Sequence, residues 1–102
     1  MIAQLREQQP AIAALCQRYG VVRLEVFGSA VSDTFDSARS DIDFLVSFTA
    51  HPVFSRFEQY FGLREDLQVL LGSAIDLVIA EALQNPYLIR SVNAQRQLLH
   101  AA

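Results

Sequence analysis

Two aspartates at the head of an apolar strand restrict this chain more than any other feature of its sequence. The segment 41–48 reads DIDFLVSF, a short run in which every residue after the second aspartate except Ser47 is apolar, as expected of a buried strand. Side chains at positions i and i+2 of a strand project to the same face, so Asp41 and Asp43 point together. Ile42 and Phe44 then straddle that pair on the other face.

Two adjacent carboxylates repel each other, and a divalent cation between them keeps both ionised. Hard oxygen ligands suit magnesium, which completes its shell with water and substrate phosphates. Asp76 is the only charged residue between Ser73 and Ala80, in a strand where an aspartate loses solvation and needs a compensating partner. If the two strands are neighbours, three carboxylates converge and can hold two metal ions about 4 Å apart for phosphoryl transfer.

Gly28 and Ser29 follow an apolar strand, VVRLEVF. A strand that ends in glycine lets the backbone approach a phosphate, and the amides that follow can point at its oxygens. Simpler interpretations remain open for each motif: the aspartate pair as a polar strand edge or turn cap, Asp76 as a buried residue that caps local backbone, and Ser29 as a helix cap.

The coarse pattern predicts an α+β fold, a small mixed sheet with helices packed on one face, in a single domain over residues 1–102. The predicted order is a helix that ends at Gly20, a strand over 21–27, a Ser- and Asp-rich loop, a strand over 41–48, a helix over 54–71, a strand over 74–80 and a final helical segment after Pro86. Val22, Leu24 and Val26 are expected on one side of the first strand. The final segment is expected to keep helical spacing through Leu98, and the aromatic residues at 54, 57, 60 and 61 are interpreted mainly as core.

Composition excludes several classes of protein. Hydrophobic residues make up 52% and charged residues 19% of the chain, which favours a folded core. The net charge is −3 and the basic residues are scattered arginines, which argues against DNA binding. Cys16 is the only cysteine and is interpreted as a buried structural thiol, and no leader or membrane span is evident, so we expect a cytoplasmic protein. Neither histidine has a second ligand at metal-binding spacing, and we assign them no function.

Taken together, the stretch VFGSAVSDTFDSARSDIDFLVSF, with IDLV and NPYLIRSVN downstream, resembles the minimal nucleotidyltransferases of the DNA polymerase beta superfamily. The likeness covers nearly the whole chain. It implies transfer of a nucleoside monophosphate, usually from ATP with release of pyrophosphate, with Gly28 and Ser29 in the nucleotide site. It also implies Asp41, Asp43 and Asp76 as the catalytic and Mg²⁺-binding residues, with Asp76 helping to deprotonate the acceptor hydroxyl.

Many members of that family are antitoxins encoded beside a helical HEPN-domain ribonuclease, which some of them adenylylate on a tyrosine. The resemblance therefore implies a HEPN-type toxin as partner, in a hetero-oligomer with this chain, and ATP as co-substrate. The alternative is a binding module that keeps the fold and neutralises its partner without chemistry. An RNA-tailing polymerase is a third interpretation, and the net negative charge disfavours it.

The loop after Ser29 departs from the family pattern. Eleven residues separate Ser29 from Asp41 where ten is usual, and Val31-Ser32-Asp33 stands where many members carry an Arg-Gly pair. Arg39, shortly before Asp41, is the candidate to supply that missing positive charge to the nucleotide.

Overall fold

A computed structural model describes residues 1–32, 35–36 and 40–102. Its helices are α1 (Ala3–Glu7), α2 (Gln9–Tyr19), α3 (Arg56–Leu71) and α4 (Pro86–Gln95). Its strands are β1 (Val21–Phe27), β2 (Ile42–Phe48), β3 (Ile75–Ile79) and β4 (Gln97–Ala101). Single 3₁₀ turns follow β1 at Gly28–Ala30 and β3 at Ala80–Ala82.

The strands form one mixed sheet in the order β3-β2-β1-β4. β1 is antiparallel to both β2 and β4, whereas β2 and β3 run parallel. The α+β class and the three strands predicted from the sequence are confirmed. The β2–β3 pair matters most for the candidate site, because its parallel register places Asp43 directly beside Asp76.

Helices cover both faces of this sheet, so the prediction that they pack on one face is wrong for α4. The buried side chains of α1, α2 and α3 share one core with the β1 and β2 residues Leu24, Val26, Phe44 and Val46. Val92 of α4 packs instead on Phe27 and Leu45. Those residues alternate with the core positions of their strands and therefore face the opposite side.

The prediction for the start of β1 is also wrong. Val22 is 41% exposed, whereas Val21 before it is buried. The register against β2 shifts between Val21 and Arg23. Such a bulge adds one residue to the strand and exchanges the faces on either side of it.

The segment that follows α4 forms a strand, whereas the sequence predicted that the helix would continue. α4 ends at Gln95, and Gln97–Ala101 pairs with β1 as the edge strand β4. The sequence places Leu88, Val92 and Leu98 at roughly helical spacing, but the strand that pairs with β4 lies about 70 residues away in sequence, where a local pattern cannot detect it. No described helix has the length and apolar character needed to cross a membrane.

α3 begins at Arg56, two residues later than predicted, because Ser55 caps it. Ser55 Oγ accepts from the Glu58 backbone N–H at 3.1 Å, and Glu58 Oε1 accepts from the Ser55 N–H at 3.0 Å, a reciprocal capping box. The aromatic residues near the start of α3 differ in burial. Tyr60 donates to the Leu77 carbonyl at 2.6 Å, whereas Phe57 is 70% exposed and does not belong to the core.

Candidate active site

A pair of carboxyl groups on the α4 face of the sheet forms the centre of the candidate site. The parallel register sets Asp43 of β2 opposite Asp76 of β3, and the two carboxyl groups lie within hydrogen-bonding reach of each other. Asp43 is partly buried and Asp76 is exposed. The expected adjacency of these two strands is therefore found.

Burial is the largest cause that raises the pKa of Asp43, to about 6, and the charges of Asp76 and Asp41 raise it further. A carboxyl group in this position takes up a proton at mildly acid pH unless a cation offsets its neighbours. The chemistry of the group fits a hard divalent ion, because its donors are oxygens that repel each other when no cation lies between them.

Asp41 is not a member of this pair. It is exposed and stands one residue before β2, and its charge contributes to the raised pKa of Asp43. Among the described residues no three His, Cys, Asp or Glu side chains are arranged to hold a metal ion as they stand. The structure thus brings together two of the three predicted ligands and leaves the third beside them.

Gly28 is tied to this site by its backbone. Its φ is +74°, and a Cβ built on it would overlap Oδ2 of Asp43. The cause is the antiparallel register, in which Phe27 pairs with Asp43 and the next residue passes over the carboxylate. Only glycine meets both conditions, so the turn after β1 and the carboxylate of β2 depend on each other.

Ser29 lies inside the 3₁₀ turn that follows, and Phe27 occupies the N-cap position of that turn. Within the described residues Ser29 therefore occupies no helix N-cap position. The turn is held by backbone bonds from Val31 to Gly28 at 3.1 Å and from Ile2 to Ala30 at 2.9 Å. Arg39, predicted to contact the nucleotide, lies outside the described residues.

Sequence reasoning missed Glu25, a charged residue that is only 4% exposed. It lies in β1 on the same face as Phe27 and Leu45. Its two oxygens meet the Nε atoms of Arg23 and Arg96, at 3.0 and 2.9 Å. The signal was available, since an acid within an apolar strand is the feature that singled out Asp76.

Cys16 is fully buried in the main core. Burial raises the pKa of its thiol to about 12, so it is a structural thiol as predicted and not a nucleophile.

A sequence profile of the family described as "Nucleotidyltransferase domain" matches residues 11–99. The chain belongs to this family. The matched range contains β1, the Gly28 turn, β2, β3 and α4, and so every residue of the carboxylate site. The resemblance inferred from the motifs is confirmed.

The chain is similar to three further proteins. "Protein adenylyltransferase MntA" of Thermococcus cleftensis is 38% identical over 71 residues, which cover 70% of this chain and 68% of that protein. A solved structure described as a "putative minimal nucleotidyltransferase" superposes with a TM-score of 0.70 at 32% identity, covering 91% of this chain and 90% of that one.

The third similar protein is a chain from the complex of the tri-AMPylated Shewanella oneidensis HEPN toxin with its MNT antitoxin. It has a TM-score of 0.65 and 21% identity, with 96% of this chain and 73% of that chain covered. At that identity the match shows a shared fold.

Proposed function

We propose that this chain transfers AMP from ATP to a hydroxyl group, with a tyrosine as the leading candidate, of a HEPN-type toxin, and so acts in the cytoplasm as the antitoxin of a toxin–antitoxin pair. The observation that carries the proposal is the Asp43–Asp76 pair beside Gly28, because a nucleotidyltransferase needs these groups together. The relative from T. cleftensis is named as a protein adenylyltransferase. A chain of the same fold occurs with an AMPylated HEPN toxin.

Asp43 and Asp76, with Asp41 beside them, are the residues that would hold Mg²⁺. When bound, the ion supplies positive charge that offsets the phosphate oxygens and keeps the carboxylates ionised. The backbone of Gly28 and Ser29 would receive the triphosphate, since the absence of a Cβ at Gly28 leaves room next to Asp43. Arg39 is the proposed additional cation for the phosphates.

Of the two paired carboxyl groups, Asp76 is the better placed to act on the acceptor, because it is exposed while Asp43 is partly buried. In the proposed step a hydroxyl oxygen of the acceptor forms a bond to the α-phosphorus of ATP. The bond from that phosphorus to the bridging oxygen of pyrophosphate breaks, and Asp76 accepts the hydroxyl proton. The exposure of Asp76 also suits an acceptor that is part of another protein, since its carboxyl group is accessible from solvent.

A mass spectrum of the toxin after incubation with this chain, ATP and Mg²⁺ tests the proposal. The expected result is an added mass of one or more AMP units, with none for Asp43→Asn. Glu65→Gln, which removes an exposed carboxylate on α3, the helix packed on the opposite face of the sheet, is the matched control and should transfer AMP normally.

No added mass together with a stable complex would contradict transfer. It would leave the alternative, a binding module that neutralises its toxin by occupation. Asp43→Asn separates the two further, since a pure binding module would still neutralise the toxin when this carboxylate is lost.

A further inference from the structure

The ion cluster of Glu25, Arg23 and Arg96 lies on the face of the sheet that carries the aspartate pair. Glu25 is two residues before Phe27, which precedes the Gly28 turn. Arg96 directly follows α4 and also donates to Asn93 Oδ1 of that helix, at 2.8 Å. The cluster therefore joins β1 to the last turn of α4 and to the beginning of β4.

α4 is the element through which this cluster can reach the nucleotide site. Val92 packs on Phe27 and Leu45, and α4 contacts the Gly28–Ala30 turn. Val92 is the one buried residue of α4, so the helix has a small apolar contact with the sheet. A helix held by so little apolar surface depends more on polar contacts at its end.

We propose that Glu25 is a positioning residue, which through Arg96 holds the end of α4 against the Gly28–Ala30 turn and so sets how tightly that turn binds the triphosphate of ATP. The inference rests on the proposed nucleotide site. Both oxygens of Glu25 are engaged by guanidinium groups, and the acid is nearly inaccessible to solvent. Removal of Arg96 is costly because the buried Glu25 carboxylate loses one of its two partners and stays desolvated, whereas the arginine side chains are partly exposed.

The first test measures binding of Mg²⁺–AMP-PNP by titration calorimetry to the wild type, Glu25→Gln, Arg96→Met and the double variant. Each single variant should weaken binding about tenfold, the size expected for loss of one charged hydrogen bond. The double variant should be no weaker than either single one, because all three break the same link. Glu65→Gln should bind like the wild type.

A purely structural role for Glu25 predicts a different pattern. It would lower the melting temperature and leave affinity unchanged at temperatures where every variant is folded. In transfer assays the positioning role predicts a raised KM for ATP with an unchanged kcat and an unchanged KM for the acceptor protein. Amide hydrogen exchange should become faster in residues 28–32 and 91–96 of Glu25→Gln and stay unchanged in α3.

The result that overturns the inference is Glu25→Gln with wild-type affinity for AMP-PNP, or effects of the two single variants that add in the double one. Failure of the proposed nucleotide site gives a separate result, since the wild type itself would then bind no AMP-PNP, and failure of AMP transfer alone is detected by the mass spectrum of the toxin.

Discussion

Gly28 and Asp43 show how two residues from different strands depend on each other. The positive φ of Gly28 and the position of Asp43 Oδ2 both follow from the register between β1 and β2. Both motifs were found in the sequence as separate signals, because each has a local pattern. That they touch could not be predicted, since it depends on which residues of two strands pair.

Gly28→Ala should destabilise the protein and abolish nucleotide binding. Gly72→Ala is the matched control: Gly72 also has a positive φ, of +63°, but nothing lies within 4 Å of its Cβ position. Both variants incur the backbone strain, roughly 1 kcal/mol, and only Gly28→Ala adds the overlap with Asp43. Thermal unfolding and AMP-PNP titration measure both effects. Equal unfolding free energies for the two variants would refute the overlap.

The raised pKa of Asp43 predicts a pH-dependent stability. When a chelator removes divalent cations, Asp43 keeps its proton up to about pH 6 in the folded state, whereas its pKa in the unfolded state is 3.8. The free energy of unfolding should therefore fall as pH rises from about 4 through 6. Asp43→Asn should remove this fall and be more stable at pH 7.5, by about 1 kcal/mol after allowance for solvent screening.

Denaturant unfolding at several pH values, with and without Mg²⁺, measures this effect. Added Mg²⁺ should stabilise the wild type at pH 7.5 and leave Asp43→Asn nearly unchanged. The contradicting result is a free energy of unfolding that rises between pH 4 and 6 in the wild type relative to Asp43→Asn. It would show that the pKa of Asp43 is not raised in the folded state.

Among the elements, β3 is an edge strand that α3 protects. Tyr60 Oη donates to the Leu77 carbonyl at 2.6 Å, and Arg64 Nε donates to the Ile75 carbonyl at 3.2 Å. These side chains occupy backbone acceptors that an edge strand otherwise offers to another chain. They also fix the strand that carries Asp76.

Tyr60→Phe should lower stability by about 1 kcal/mol, the usual worth of such a hydrogen bond. Tyr87→Phe, at a tyrosine that is 81% exposed, is the control and should have no effect. Hydrogen exchange in residues 75–79 should become faster in the first variant alone. An unchanged exchange rate there would mean that the hydroxyl does not hold β3 in place.

Local patterns were sufficient for the central elements of the fold and insufficient at its ends. β2, β3 and α3 have clear periodicity and clear end signals, and the structure contains them within two residues of the predicted bounds. β4 forms by hydrogen bonding to the free edge of β1. α4 lies on the second face of the sheet, where Val92 packs on the apolar side chains of Phe27 and Leu45. Both depend on distant partners. The acidic residue Glu25 within an apolar strand was a local signal, but its partner Arg96 is distant in sequence and could not be predicted.

At the scale of the whole molecule, the main core lies on one face of the sheet and the candidate active site on the other. One face carries the main core under α1, α2 and α3, and the other carries Asp43, Asp76 and the ion cluster beneath α4. Substitutions on the second face can therefore change function while the main core stays intact.

Cys16 offers a probe of that core. Its thiol is fully buried and its pKa is raised to about 12, so the folded protein should not react with a disulfide reagent at pH 8. The reaction should proceed only as fast as the core opens, and it should slow when Mg²⁺ and AMP-PNP are added. Rapid labelling of the native protein would contradict this packing.

The most direct test of the central claim follows the label from ATP to the partner toxin. With Mg²⁺ present, ATP labelled at the α-phosphate should mark the toxin, and ATP labelled at the γ-phosphate should not, because AMP is transferred and pyrophosphate leaves. The α-label should be lost with Asp43→Asn and kept with Glu65→Gln. Label from the γ-phosphate on the toxin, or no label from either, would contradict AMP transfer by this chain.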